Sequence, residues 1–176
     1  MRGLLGFLLS VVLAAPIAAA DEWSVDASPT ADFTRFKTFT LGGTRVESGR
    51  PELDNDLFVK QVQAAIRSTL AARGLAETAA QGDLAVSVVI TGEDVSTTGR
   101  GVSIAGPRGS GRISTGPVSV RYAAATLVID LKAAGADAFV WRGVYRDEES
   151  TGSKLVAKLP SDAQKLLKEY PPSRPR

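Results

Sequence analysis

Residues 122–132, YAAATLVIDLK, and residues 138–147, AFVWRGVYRD, decide the architecture of this chain. Both alternate apolar with polar or small residues at period two, the mark of a strand with one face buried. Residues 133–137 between them are few enough for a hairpin loop,. With Lys132 opposite Ala138, Leu131 faces Phe139, Ile129 faces Trp141, Leu127 faces Gly143 and Ala125 faces Tyr145. In that register the apolar residues share one face and the smallest oppose larger ones, as cross-strand packing prefers. Thr126, Asp130, Arg142 and Arg146 fall on the other face, with Asp130 diagonal to Arg142 as a surface ion pair.

A face so apolar needs a cover, and upstream residues supply one. Leu57, Phe58, Val62, Ala65, Ile66 and Leu70 recur at helical spacing across residues 55–73,. Asp54, Asn55 and Asp56 offer N-terminal caps, and Arg73-Gly74-Leu75 reads as a glycine C-cap with its apolar contact,. Leu84, Val86, Val88 and Ile90 alternate as a further strand. Residues 22–41 read as extended structure turned at Ser28-Pro29 and closed by Gly42-Gly43, with a polar loop over residues 44–52,. Residues 91–118 lose periodicity and fill with glycine and serine, which predicts a long flexible loop with a short strand near residues 102–105,. Residues 147–153 read as a polar turn. Pro160 then interrupts a helix-prone stretch, and Ser161 to Gln164 fits a capping box for a fresh helix whose Leu166 and Leu167 pack on the sheet,. The expected fold is α+β: a mostly antiparallel sheet of four to five strands with two helices on one face. It spans residues 21–170 as a single domain, with 171–176 as a mobile tail.

The first twenty residues do not belong to that domain. Arg2 precedes the apolar run 4–13 (LLGFLLSVVL), Pro16 breaks it, and Ala18-Ala19-Ala20 leads into Asp21-Glu22. These are the three zones of a secretory signal peptide, cleaved after Ala20. The apolar core is about half the roughly 20 residues a spanning helix needs, so no mature transmembrane helix is expected. The chain has no cysteine, so the usual bacterial lipid anchor, disulfides and cysteine–metal sites are all excluded,. Export to the periplasm is the expected localisation, peripheral to the outer membrane.

Composition also narrows the chemistry. There is no histidine, which removes the commonest general base and metal ligand together with Ser-His-Asp and Cys-His catalysis,. Lys and Arg number 21 against 19 Asp and Glu, too balanced to imply nucleic-acid binding,. Within residues 99–121, however, Arg100, Arg108, Arg112 and Arg121 occur with no acid. They are candidate contacts to anionic lipid, glycan phosphate or a partner, set against plain solubilising charge. Residues 106–111 (GPRGSG) have phosphate-loop glycines but continue Arg112-Ile113 rather than Lys-Ser, so nucleotide binding is not expected,. Asp147, Glu148 and Glu149 read as a solvated acidic turn, and Thr151 to Lys154 as an isolated hydroxyl–lysine spacing,. Trp141 and Tyr145 read as core, whereas Trp23 is the better candidate for an exposed contact. No catalytic, metal or cofactor site is expected.

Taken in order, VDASP (25–29), ADF (31–33), RFKTF (35–39), AARGL (71–75), GDLAV (82–86), ATLVIDL (125–131), FVWRG (139–143) and YPP (170–172) resemble the bacterial envelope family called domain of unknown function 4136. The resemblance implies a small α+β envelope domain, commonly a lipoprotein, and carries over no catalytic residue. This chain departs from it by lacking the lipid-bearing cysteine. The function expected is a non-enzymatic envelope interaction module whose partner is an envelope protein or lipid. The alternative is a binder of small amphiphiles or envelope lipids between helices and sheet. Intact-mass measurement of the protein recovered from cells is expected to give a chain starting at Asp21; a chain retaining residues 1–20 would refute the cleavage.

Overall fold

The computed structural model describes residues 22–99, 103–105, 112–114, 116–136 and 138–171. The leader with its cleavage after Ala20, Arg100, Arg108, residues 106–111 and the tail beyond Pro171 lie outside them. In chain order the elements are β1 (Glu22–Ala27), a 3-10 turn (Phe33–Arg35), β2 (Thr38–Ser48), α1 (Asp56–Ala72), β3 (Ala76–Glu77), β4 (Leu84–Gly99), β5 (Ser103–Ala105), β6 (Arg112–Ser114), β7 (Val118–Ala133), β8 (Phe139–Glu149) and α2 (Gly152–Leu167).

One six-stranded sheet has the order β1-β8-β7-β4-β2-β3, and β5 pairs with β6 separately. The sheet is mixed rather than mostly antiparallel, because β2 runs parallel to both β3 and β4. Parallel neighbours need a crossover, and α1 is that crossover. It begins where the Asn55 side chain accepts from the Leu57 and Phe58 amides at 2.9 and 3.1 Å. It ends in a Schellman turn: Gly74 has φ +85°, its N–H donates to the Ala71 carbonyl, and Leu75 N–H donates to Leu70,. Phe58, Val62, Ala65, Ile66 and Leu70 are buried as their spacing predicts, whereas Leu57, on the first turn, is 66% exposed.

The hairpin forms, but two residues away from the expected register. Leu131 pairs with Trp141, Ile129 with Gly143, Leu127 with Tyr145 and Ala125 with Asp147. Five residues, 134–138, join the strands, the length expected, and they begin with a turn closed by Ala136 N–H to the Ala133 carbonyl, with Gly135 at φ +76°. A slip of two preserves which face each residue occupies, which is why the buried set survives it. An irregularity beside Lys132 turns Phe139 to the opposite face, where it is 40% exposed. Asp130 lies directly opposite Arg142 instead of diagonal to it.

The expected loop over residues 91–118 is largely strand. β4 and β7 pair without a break from Leu84 with Ala133 to Gly99 with Val118. The run Ser96-Thr97-Thr98 suits a solvated ribbon and gives the β4 arm no apolar periodicity to announce it, whereas Val118, Val120 and Tyr122 alternate on the β7 arm,. Gly42-Gly43 also fails to end a strand. It forms a bulge in β2, where a Cβ on Gly42 would come within 3.0 Å of the Val86 carbonyl oxygen,. α2 runs unbroken through Pro160, whose lost hydrogen bond is outweighed by burial of Leu155 and Leu159 before it and Ala163, Leu166 and Leu167 after it,. Ser161 therefore caps nothing; its hydroxyl donates to the Lys158 carbonyl at 2.7 Å.

Both helices cover one face. α1 packs on α2 and reaches β2 and β3, while α2 lies on β7 and β8. The core joins Val86, Val88 and Ile90 of β4, Leu127, Ile129 and Leu131 of β7, and Trp141 and Tyr145 of β8 with the helix stripes. Two glycines hold these layers together. At Gly82 a Cβ would meet the Phe39 backbone at 2.7 Å, and at Gly143 it would meet Trp141 Cη2 at 2.5 Å and Leu166 Cγ at 2.7 Å. Gly143→Ala overpacks the sheet–α2 interface and is expected to cost about 1–3 kcal/mol in urea unfolding. An unchanged midpoint would show that α2 does not rest on this notch.

Candidate functional site

The structure disperses the sequence-derived candidates rather than assembling them. Arg121 is exposed on β7 opposite Ser96, and Arg112 opens β6 opposite Ala105. Trp141 and Tyr145 are core residues, 0% and 2% exposed. The acidic run is not a solvated turn. Asp147 to Glu149 continue β8, and Asp147 is buried on the helix side with its Oδ1 2.8 Å from Lys158 Nζ. Lys158 also reaches Glu149 at 3.2 Å. Strand alternation explains the correction: Asp147 follows Trp141, Gly143 and Tyr145 on the covered face. Thr151 is the N-cap residue of α2 and makes no side-chain cap bond, while Lys154 is exposed. Among the described residues no group of three His, Cys, Asp or Glu could hold a metal, and no helix is long and apolar enough to cross a membrane.

Three features emerge, of which the sequence announced only the Asp130–Arg142 ion pair and the exposed Trp23. The first is a carboxylate brace between β2 and β4. Asp83 Oδ2 accepts from the Lys37 and Thr38 amides, each at 2.9 Å, and Asp83 N–H returns a bond to Thr38 Oγ1. Those amide donors hold the Asp83 carboxyl below the usual carboxylate range,. Gly82-Asp83 therefore has a structural reason: a backbone approach too close for a Cβ, followed by a carboxylate that satisfies two amides.

The second is the open face of the sheet. Val144, Val128 and Val89 lie in one cross-strand row, and charged residues flank it. Arg142 grips Asp130 in a two-point bond, Nε to Oδ1 at 2.6 Å and Nη2 to Oδ2 at 2.7 Å. Its guanidinium lies 3.9 Å from the Phe139 ring centre,. The bonds to Asp130 raise the Arg142 pKa. Arg146 bridges Glu93 at 2.9 Å and Glu148 at 3.3 Å. Asp26 and Glu22 of β1 stand opposite these two arginines, which already hold other acids. This face is a charged ladder, and its paired groups are tied to one another rather than poised over a substrate.

The third lies where α2 overhangs the edge strand. Trp23, 53% exposed, forms with Tyr145, Leu166, Lys165, Lys168 and Glu169 an open groove of about 290 Å³. Beneath it Asp162 is fully buried, its Oδ1 2.9 Å from Lys165 Nζ and its Oδ2 without a hydrogen-bond partner among the described residues. Burial raises the Asp162 pKa more than the Lys165 bond lowers it,. Deeper still, burial pushes the Tyr170 hydroxyl up to about 12 beside Trp141. The S-x-x-Q pattern concealed Asp162, because a residue inside a capping box reads as exposed first turn.

A family profile described as Domain of unknown function (DUF4136) matches residues 23–172. No curated protein matches the sequence at a significant level. Among solved structures, a PDZ domain protein from Parabacteroides distasonis is similar over 86% of this chain at 13% identity and a TM-score of 0.51. The chain spans only 35% of that protein's length, and the likeness shows a shared fold. A DUF4136 family protein from Bacteroides thetaiotaomicron, 19% identical, aligns over 85% of this chain and 92% of its own with a TM-score of 0.46. The PelC dodecamer from Paraburkholderia phytofirmans, 12% identical, aligns over 84% and 92% with a TM-score of 0.44. The last two likenesses are too loose to argue from.

The Asp162 environment sets a sign for pH dependence. Because its pKa is raised in the folded state, the folded protein holds the proton more tightly than the unfolded chain. This group then favours folding fully below the ordinary carboxylate range and loses that contribution as pH rises through the raised value. Asp162→Asn is expected to raise the melting temperature at pH 7, with the advantage shrinking toward pH 4. Thermal unfolding at both pH values checks this, and a variant less stable at pH 7 would show that the Lys165 bond dominates.

Proposed function

Since the chain belongs to the family Domain of unknown function (DUF4136), whose members share no assigned reaction, we propose that it is a non-enzymatic interaction module of the bacterial cell envelope. One observation carries this reading. β2 leaves the sheet at Ser48, opposite Gly92, and β8 leaves it at Glu149, opposite Ala123. Beyond those points β4 and β7 continue alone as a ribbon, residues 95–99 against residues 118–122, with no strand on either edge among the described residues. A lone two-stranded ribbon in water is marginal, and unpaired edges are templates for other chains. A segment of this kind is best accounted for as a contact element. From residue 95 to residue 129 the only charges are Arg100, Arg108, Arg112 and Arg121, which favours an acidic or phosphate-bearing partner,.

Further support comes from composition and export. A chain without histidine lacks the commonest acid–base group,. Its leader sends it to the periplasm, where a partner at the outer membrane is within reach. The amphiphile-binding alternative requires space between helices and sheet. That interval is filled by Phe58, Ile66, Leu127, Ile129, Trp141 and Leu159, each 0–1% exposed, so it gains no support there.

A photo-crosslinking residue at exposed Thr97 of the ribbon is expected to give discrete adducts in cells, while one at exposed Lys60 on α1 gives few. Replacing the four arginines by serine is expected to weaken the Thr97 adducts. Equal, diffuse labelling from both positions would remove the ribbon from consideration. Hydrolysis in a broad substrate screen, abolished by one point mutation, would overturn the non-enzymatic reading.

A further inference from the structure

β1 ends the sheet on one side, and its outer edge has no strand against it among the described residues. Ser28 N–H donates to the Val140 carbonyl at 2.9 Å, which sets the antiparallel alternation,. Glu22, Ser24 and Asp26 therefore bond inward to β8, and the backbone groups of Trp23, Val25 and Ala27 point outward. Those three residues sit opposite Tyr145, Gly143 and Trp141, on the helix-bearing face, with Trp23 walling the groove beside α2. On the other face Glu22 and Asp26 are exposed. Neither forms an ion pair within the described chain, since Arg146 and Arg142 are engaged by Glu93, Glu148 and Asp130. The edge thus offers three outward backbone positions, one large apolar side chain and two exposed carboxylates, of which Asp26 also adds to the field at Arg142. It asks for a short strand whose charge is positive.

The same chain carries such a strand. In the lane that β8 vacates at Glu149, the outer edge of β7 has no strand against it over residues 118–122 among the described residues, and its one charge is the exposed Arg121. Val120 beside it is 56% exposed, an apolar residue suited to an aromatic such as Trp23,. Five free residues on β7 match the six of β1 in length. The two edges cannot meet within one molecule, because β8 and the paired part of β7 hold them apart in the sheet.

We propose that β1 of one copy pairs with the free edge of residues 118–122 of a second copy, Glu22 and Asp26 facing Arg121. This names the partner for one edge and rests on the interaction-module reading of the ribbon. The two surfaces are different, so the contact is head-to-tail and propagates to a ring or a filament rather than closing as a two-fold dimer. It also covers two bare edges at once, which a folded domain otherwise leaves open to indiscriminate pairing.

Sedimentation velocity of the purified chain over a concentration series tests the proposal. Species larger than a single chain are expected to grow with concentration. Arg121→Glu alone, and Glu22→Arg with Asp26→Arg, are each expected to weaken association roughly tenfold or more. The triple variant, with the charges exchanged, is expected to restore it. Rescue separates pairing from damage to the fold, since a misfolded single variant would not recover when two further changes are added. A chain that stays monomeric, or an assembly indifferent to all three variants, overturns the proposal. If such a monomer still yields Thr97 adducts with another protein, the self-pairing alone has failed and the module reading stands.

Discussion

Leu166 of α2 seats in the notch that Gly143 leaves between Trp141 and Tyr145, and most of the molecule is arranged around that contact. A side chain at residue 143 would hold the helix off the sheet. Without it, α2 comes down flat enough to bury Leu155, Leu159, Ala163, Leu166 and Leu167 together. Interiors pack near crystal density, so a gap of one methyl group is felt across the interface. The same contact explains why Pro160 does not split the helix. Burial on both sides of the proline holds the axis, and the lost backbone bond is local.

A second constraint acts on the other half of the sheet. β2 and β4 are parallel, and a parallel pair cannot be made by a turn,. The chain leaves β2 at Ser48, crosses as α1, touches down as β3 and enters β4 through Gly82-Asp83. There the backbones come close enough to exclude a Cβ, and the Asp83 carboxylate satisfies the amides of Lys37 and Thr38. α1 packs against α2, so the notch at Gly143 and the brace at Asp83 hold one layer from its two ends.

Charge is divided by the sheet. On the open face, carboxylates and arginines neutralise one another in cross-strand sets, Asp130 with Arg142 and Glu93 with Arg146 and Glu148. On the covered face Asp147 and Asp162 are taken out of water and held by lysines of α2. A carboxylate buried in this way costs desolvation that its partner only partly offsets. What remains without an ion pair among the described residues lies at the margins: Glu22 on the edge of β1 and Arg121 on the ribbon. Both are places where backbone pairing is also incomplete, so charge and hydrogen-bonding capacity are left over in the same regions. That coincidence is the physical basis for reading the protein as a contact element.

The sequence by itself determined the faces. Period-two alternation in residues 84–90, 125–131 and 141–145 and the helical stripe from Phe58 to Leu70 named the buried residues, because side-chain direction follows from local backbone geometry. It also determined the end of α1 at Gly74, which needs only a left-handed backbone, and the exclusion of histidine- and cysteine-based chemistry. Tertiary structure alone decided the rest. The hairpin register moved by two although the loop kept its expected length, and periodicity is blind to a shift that preserves the faces,. The ribbon stayed hidden because its β4 arm, Ser96-Thr97-Thr98-Gly99, has no apolar rhythm to read, and Val118-Ser119-Val120 was too short a signal without it. Asp147 looked like surface charge, and Asp162 drew no reading, until α2 settled on β8, since burial of a polar side chain depends on what packs above it and leaves no mark on its neighbours in sequence.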